Sequence, residues 1–263
     1  MNESSATSGN FAHRLRRSGR AGRWVLGTTI IAIGLWVWSS FRGEQLPDFS
    51  GHESTKEKKA AFFGYLLPHI TAVNDAILKD RKRLLQIRDE LLDGDTAGFF
   101  DDRWLVKLAN EYGLEAPEEL DAAFAKRLLR RVDIIAPSLI LAQAANESAW
   151  GTSRFARHGN NLFGLRTYDG DGLVPKARAT GKKFQVAMYD SVRESISAYV
   201  DNLNTHQRYR RLRTIRANLR LKGNTISGYA LANGLTSYSE RGTEYIADLQ
   251  SMISSNNLKK YDQ

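Results

Sequence analysis

Glu147 is the one ionisable side chain between Pro137 and Trp150, in the run P-S-L-I-L-A-Q-A-A-N-E-S-A-W closed by Gly151. The run reads as a buried helix continuing to Trp150. A carboxyl set among Ala144, Ala145 and Ala149 loses much of its hydration, so it must either be paired or hold a proton near neutrality. A proton-holding carboxyl is what general acid catalysis requires.

Other chemistries find little support in the residues. The chain has no cysteine, which removes disulfides, thiolate metal sites and cysteine nucleophiles. His13, His52, His69, His158 and His206 show no paired metal-ligand spacing, and neither G-x-S-x-G nor S-x-x-K occurs. D-G-D-G at 169–172 lacks the distal glutamate of a calcium loop and reads as a turn. Carboxylate chemistry remains, with no metal and no cofactor expected.

The elements that must position Glu147 follow from patterning. Residues 24–41, W-V-L-G-T-T-I-I-A-I-G-L-W-V-W-S-S-F, carry no charge and suit a membrane crossing of about 30 Å. Arg14, Arg16, Arg17, Arg20 and Arg23 precede that segment and contribute to a net charge of +9, so the positive-inside rule puts residues 1–23 in the cytoplasm. The expectation is a single-pass protein of the cytoplasmic membrane whose later residues face the periplasm or exterior. No small-x-small cleavage site follows the apolar run, which favours an anchor over a cleaved signal.

Residues 42–56 mix glycine, proline and charge and read as a linker or loosely packed strap. A helical accessory region at 57–120 begins with a long amphipathic helix over 57–92, in which Pro68 marks a start or a kink. Shorter helices are expected at 104–112 and at 118–133, the latter opened by Pro117 as a first-turn residue. Residues 121–263 form the second region. Glycines punctuate 160–189, where Phe184, Val186 and Met188 alternate, so a small β-hairpin lobe is expected. Ser191 and Glu194 form a capping box for a helix, with two more at about 212–233 and 241–256. The class is α+β, mostly helical.

Around Glu147 the chain reads L-A-Q-A-A-N-E-S-A-W-G-T-S-R-F-A, followed by H-G-N-N-L-F-G-L-R. Gln143, Glu147, Ser148, Trp150, Gly151 and Ser153 match Q-A-x-x-E-S-x-W-G-x-S. Asn161 to Gly164 match N-L-F-G, Tyr189 and Ser191 match Y-x-S, and Tyr238 and Tyr245 correspond to a closing tyrosine pair. In this order, over residues 125–258, the motifs resemble bacterial endo-β-N-acetylglucosaminidases, peptidoglycan hydrolases of the glycoside hydrolase family 73 type. The upstream F-F-G-Y-L-L-P-H-I resembles a Bax-like subgroup of bacterial membrane proteins.

The resemblance implies a lysozyme-like fold with a glucosaminidase-like catalytic domain at 121–263. It implies Glu147 as the acid that protonates the glycosidic oxygen between N-acetylglucosamine and N-acetylmuramic acid. It implies Tyr238 as a catalytic tyrosine orienting water or the 2-acetamido group, and Asn161, Phe163 and Tyr245 as substrate-binding residues. Two departures stand out. The β lobe reads V-P-K-A-R-A-T-G where some relatives carry a second glutamate, and S-Y-S-E-R-G-T-E-Y is one residue longer than Y-A-T-D-x-x-Y. Asp169 or Asp171 could supply the second carboxylate, but assistance by the substrate's acetamido group, or a water route through Glu147 and Tyr238, is preferred.

The expected partners are peptidoglycan glycan strands and, through the anchor, the membrane. A muramidase, a lytic transglycosylase and a non-catalytic wall-binding scaffold are the alternatives. The arginines between 207 and 222 invite a nucleic-acid reading, but on an exterior domain they read as a solvated basic helix face, and no nucleic acid is expected.

Overall fold

Ser54 opens the first helix by accepting a hydrogen bond from the Glu57 amide at 3.2 Å. This helix, α1 (Thr55–Leu92), buries Phe62, Leu66, Ile70, Val73, Ile77, Leu84 and Ile87 along one stripe. Pro68 neither starts nor ends it. Proline removes the bond to the carbonyl four residues back, that of Gly64, and both residues lie on the exposed face, where water can replace it.

The computed structural model describes residues 45–168, 172–175, 181 and 183–262. The apolar segment 24–41 lies outside them, and among the described residues no helix is long and apolar enough to cross a membrane. After α1 come α2 (Phe99–Glu111), α3 (Ala122–Leu129), α4 (Pro137–Glu147) and α5 (Arg154–Gly159). Three short strands follow, β1 (Arg166–Thr167), β2 (Gly172–Leu173) and β3 (Gln185–Ala187). The chain continues with α6 (Val192–Thr205), a 3-10 turn at Gln207–Tyr209, α7 (Arg210–Leu221), α8 (Gly228–Leu231) and α9 (Thr243–Ser255). Two further 3-10 turns lie at Ala232–Gly234 and Leu258–Tyr261.

Glu44–Gln263 is one compact unit, with α1 packed on α3, α4 and α6. The helical accessory region therefore braces the helix that carries Glu147. The strap before α1 is firmly docked rather than loose. Leu46 and Phe49 are buried, the Leu46 amide donates to Asn160 Oδ1 at 3.2 Å, and Arg157 pairs with Asp48 at 3.2 Å.

Helix α4 is buried from Ser138 to Ala145 because α1, α8, α9 and the last 3-10 turn surround it. That is why its sequence is apolar on every face. Ala136 cannot cap it, and the cap comes from the far end of the chain. The Asp262 carboxylate accepts from the Ser138 amide at 2.9 Å, the Ser138 hydroxyl at 2.6 Å and the Gly228 amide at 2.9 Å.

Three sequence expectations need correction here. Helix α3 starts at Ala122 and not after Pro117, because the Asp121 carboxylate accepts from the Phe124 amide at 2.6 Å and fixes the start. The hairpin is a three-stranded antiparallel sheet of order β1-β3-β2, with Arg166 opposite Val186 and Leu173 also opposite Val186. Val186 is buried there, whereas Met188 lies past the strand and is exposed. The helix expected at 212–233 divides into α7, α8 and a 3-10 turn. By contrast, Ser191 caps the next helix as expected, its hydroxyl accepting from the Glu194 amide at 3.1 Å, while the Glu194 carboxylate reaches back to the Asp190 amide at 2.8 Å.

The arginines of 207–222 also depart from a solvated face. Arg216 is fully buried and donates to the carbonyls of Arg130, Arg131, Asp133 and Ile134 and to Asn204 Oδ1. Arg213 is buried and donates to the carbonyls of Leu203 and His206. Arg220 pairs with Asp133 at 2.8 Å, and Arg81 of α1 donates to the carbonyls of Leu129 and Val132. These side chains satisfy the unpaired carbonyls at the ends of α3 and α6. They thereby fix the segment that enters α4.

Candidate active site

Glu147 is the last residue of α4, because the chain turns back directly after it. Ala149, Trp150 and Gly151 have φ of 51°, 59° and 77°, a run of left-handed residues that ends the helix. Gly151 is required there: a Cβ would lie 2.9 Å from Phe49 Cδ2 and 3.2 Å from Leu46 Cδ2. Trp150 turns toward α1, edge-on to Phe62 and Phe63, with the Lys59 ammonium 5.0 Å from its ring centroid. Trp150 thus packs within the protein. The turn leaves Glu147 half-buried at the helix end.

A directed chain of hydrogen bonds reaches the carboxylate from the core. The Tyr199 hydroxyl donates to Gln143 Oε1, Gln143 Nε2 donates to the Tyr245 hydroxyl at 2.9 Å, and the Tyr245 hydroxyl donates to Glu147 Oε1 at 2.7 Å. Asn146 Nδ2 also donates to Oε1, at 3.3 Å. Among the described residues none donates to Oε2. Of the two fates expected for this carboxyl, pairing is thus seen directly, and one oxygen remains available to a ligand.

Tyr238 and Tyr245 stack with ring centroids 5.5 Å apart and planes 6° from parallel. Of the two, Tyr245 is placed differently from the sequence expectation. Tyr245, not Tyr238, touches Glu147, and it is buried, so it supports the carboxylate instead of lining a sugar-binding surface. The Tyr238 hydroxyl donates to the Phe163 carbonyl at 3.0 Å.

Asn161 and Phe163 do not line a cleft either. Asn161 is buried, donating to the carbonyls of Leu165 and Ala187 at 2.9 Å and accepting from the amides of Phe163 and Leu165. Its amide is used up in bracketing the loop to β3. Phe163 lies flat on Tyr199, 4.0 Å between centroids and 12° between planes, inside the core. Asp169 and Asp171 lie outside the described residues. No group of three or more His, Asp or Glu able to hold a metal is found among the described residues.

The Glucosaminidase family model, described as mannosyl-glycoprotein endo-beta-N-acetylglucosaminidase, matches residues 122–258, the region that contains α3 to α9 and the whole hydrogen-bond chain. The chain belongs to the glucosaminidase family. It is also 34% identical over 220 residues to Protein bax of Escherichia coli strain K12, a match covering 83% of this chain and 77% of that protein. Among solved structures, the catalytic domain of the autolysin Auto from Listeria monocytogenes is similar at 23% identity and a TM-score of 0.38, covering 67% of this chain and 96% of that chain.

Gln143 and Tyr199, the other members of the hydrogen-bond chain, are given no site role by the sequence. Gln143 had a signal, since it stands four residues before Glu147 and so shares its helix face. Tyr199 had none beyond its place on the apolar stripe of α6.

Burial raises the Tyr199, Tyr238 and Tyr245 hydroxyls above the ordinary tyrosine value, and their proximity to one another and to Glu147 pushes in the same direction. They remain neutral donors throughout the physiological range. The linkage follows: a folded pKa above the unfolded value of about 10 leaves stability intact below that pH and erodes it as pH rises further. Alkaline titration should therefore show tyrosinate absorbance and loss of far-ultraviolet ellipticity in one coincident step. Free titration of these tyrosines near pH 10 with the helices intact would contradict their enclosure.

Tyr245→Phe removes the hydroxyl that joins the Gln143 side chain to the Glu147 carboxylate. Leaving a buried donor unmatched costs about 1–3 kcal/mol, so the variant should be less stable by that order. In steady-state hydrolysis kcat should fall roughly tenfold with KM within about twofold, because the Glu147 carboxylate loses the hydroxyl that orients it. A rise in KM alone would reassign Tyr245 to substrate binding.

Proposed function

We propose that this glucosaminidase hydrolyses the β-1,4 bond between N-acetylglucosamine and N-acetylmuramic acid in peptidoglycan, with Glu147 as general acid. The observation that carries the reading is the divided carboxyl of Glu147, with Oε1 held by Tyr245 and Oε2 without a partner among the described residues. A saccharide laid against Oε2 excludes water, and exclusion of water favours the proton-holding form of a carboxyl.

In this reading Oε2 gives its proton to the glycosidic oxygen as the C1–O bond breaks. The acetamido oxygen of the same sugar forms a bond to C1, giving a cyclic oxazolinium, and the departing chain leaves as an alcohol. Water then attacks C1, the acetamido C–O bond opens, and the Glu147 carboxylate takes the water's proton. Tyr238 has committed its proton to Phe163, so it can serve an acetamido N–H only as an acceptor. The apolar, arginine-flanked segment 24–41 supports a membrane anchor that holds this activity on the outer face of the cytoplasmic membrane, beside the wall.

The test is reducing-end analysis of purified peptidoglycan digested by the full-length protein. New N-acetylglucosamine reducing ends are expected. Muramic acid ends would indicate a muramidase, anhydro ends a lytic transglycosylase, and co-sedimentation without cleavage a binding scaffold; each of these would overturn the reading.

A further inference from the structure

Away from Glu147, the C-terminal end of α3 with the residues just after it and the segment from Gln207 into α7 line an open recess of about 270 Å³. Arg127, Arg130, Arg131, Arg210 and Arg213 line it, together with two neutral residues and no carboxylate. Two of the five arginines have structural work. Arg213 is tied to the carbonyls of Leu203 and His206, and Arg131 to those of Tyr112, Gly113 and Thr205. The other three have no ion pair and no side-chain hydrogen bond among the described residues, although the Arg127 guanidinium lies 5.5 Å from the Phe124 ring centroid.

Like charges gathered in a recess repel, and no carboxylate lines the recess to offset them. The Arg213 guanidinium feels this directly, pushed down to about 10 by burial and by the neighbouring Arg131 and Arg210. Burial lowers Arg216 to about 10 as well, but Arg216 has the Asp133 carboxylate beside it, and no carboxylate lines the recess. In the recess the compensating charge has to come from outside.

We propose that this recess is an oxyanion site that takes a single phosphoryl group. Guanidinium forks match phosphate oxygens bidentately, and anchored arginines lose little freedom on binding. At about 30 Å³ per water the space holds roughly nine waters, enough for a phosphoryl group with a small organic substituent. A long polyanion would need a track of sites, whereas this is one recess walled by two helical segments. The same chemistry is presented by free phosphate and by a phospholipid headgroup.

Isothermal titration calorimetry decides it, using the full-length protein in neutral detergent at ionic strength held constant with sodium chloride. Inorganic phosphate should bind at one saturable site. Soluble sn-glycero-3-phosphoglycerol, titrated in parallel, separates the two sources: tighter phosphate binding assigns the free dianion, and tighter diester binding assigns a lipid headgroup. Arg130→Gln with Arg210→Gln removes two guanidinium groups that make no structural hydrogen bond, and should weaken phosphate binding about 100-fold, near tenfold for each. In phosphate-free buffer of low salt the double variant should melt above the parent because repulsion is relieved, and saturating phosphate should reverse that order. Absence of saturable binding of either ligand, or equal binding by the double variant, would overturn the assignment.

Discussion

Glu147→Gln is expected to lower the release of reducing ends from purified peptidoglycan by about 10²- to 10⁴-fold, the range typical of a lost general acid. That range corresponds to roughly 2.7–5.5 kcal/mol of transition-state stabilisation. The substitution isolates chemistry from folding. The Gln carbonyl oxygen can still accept from the Tyr245 hydroxyl and from Asn146 Nδ2, and the new amide replaces Oε2, which had no described partner to lose. Circular dichroism and the thermal midpoint should therefore match the parent, while the amide has no proton acidic enough to donate. Retention of activity within about tenfold would place the acid elsewhere and remove Glu147 from the reaction.

Arg216→Ala should destabilise the protein by about 3–5 kcal/mol, the range for breaking a buried charged network by removing one partner. Against a total stability of roughly 5–15 kcal/mol, that is a large share. The reason lies in what the side chain holds. Nη1 donates to the carbonyls of Asp133 and Ile134 at 2.9 Å and to Asn204 Oδ1 at 2.7 Å, and Nη2 donates to the Arg130 carbonyl at 3.0 Å. Its loss strands those acceptors in the core and leaves Asp133 with fewer counter-charges. Arg216→Lys should recover little, because one ammonium cannot reach acceptors spread across a planar fork. Urea unfolding measures both variants, and a loss below about 1 kcal/mol for Ala would show that the network is not what fixes the entry to α4.

Much of the fold was legible in local pattern. The stripe of α1, the Ser191–Glu194 cap, the buried helix leading to Glu147 and the ordered glucosaminidase motifs all come from short-range spacing, which the chain carries in one dimension. What misled was equally local. Pro68 looked like a boundary, but it sits on a solvated face that tolerates a missing bond. Pro117 looked like a helix start, but the Asp121 cap prevailed. Asn161 and Phe163 looked like cleft residues because the motif places them near Glu147; one is saturated by backbone groups and the other stacks in the core.

The sequence by itself determined that a lone carboxyl lies on an apolar helix, that carboxylate chemistry is the chemistry on offer, and which family the motif order resembles. Only the tertiary structure decided which tyrosine serves that carboxyl. Tyr245 is 98 residues from Glu147, and its partner Gln143 is 56 residues from Tyr199. Only the tertiary structure separated Arg216, which caps buried carbonyls, from Arg210, whose side chain has no partner among the described residues, since both stand in α7. Side-chain type can be read along the chain, but hydrogen-bond partners are set by which carbonyls and hydroxyls the packing leaves without water, and that is a property of the folded chain alone.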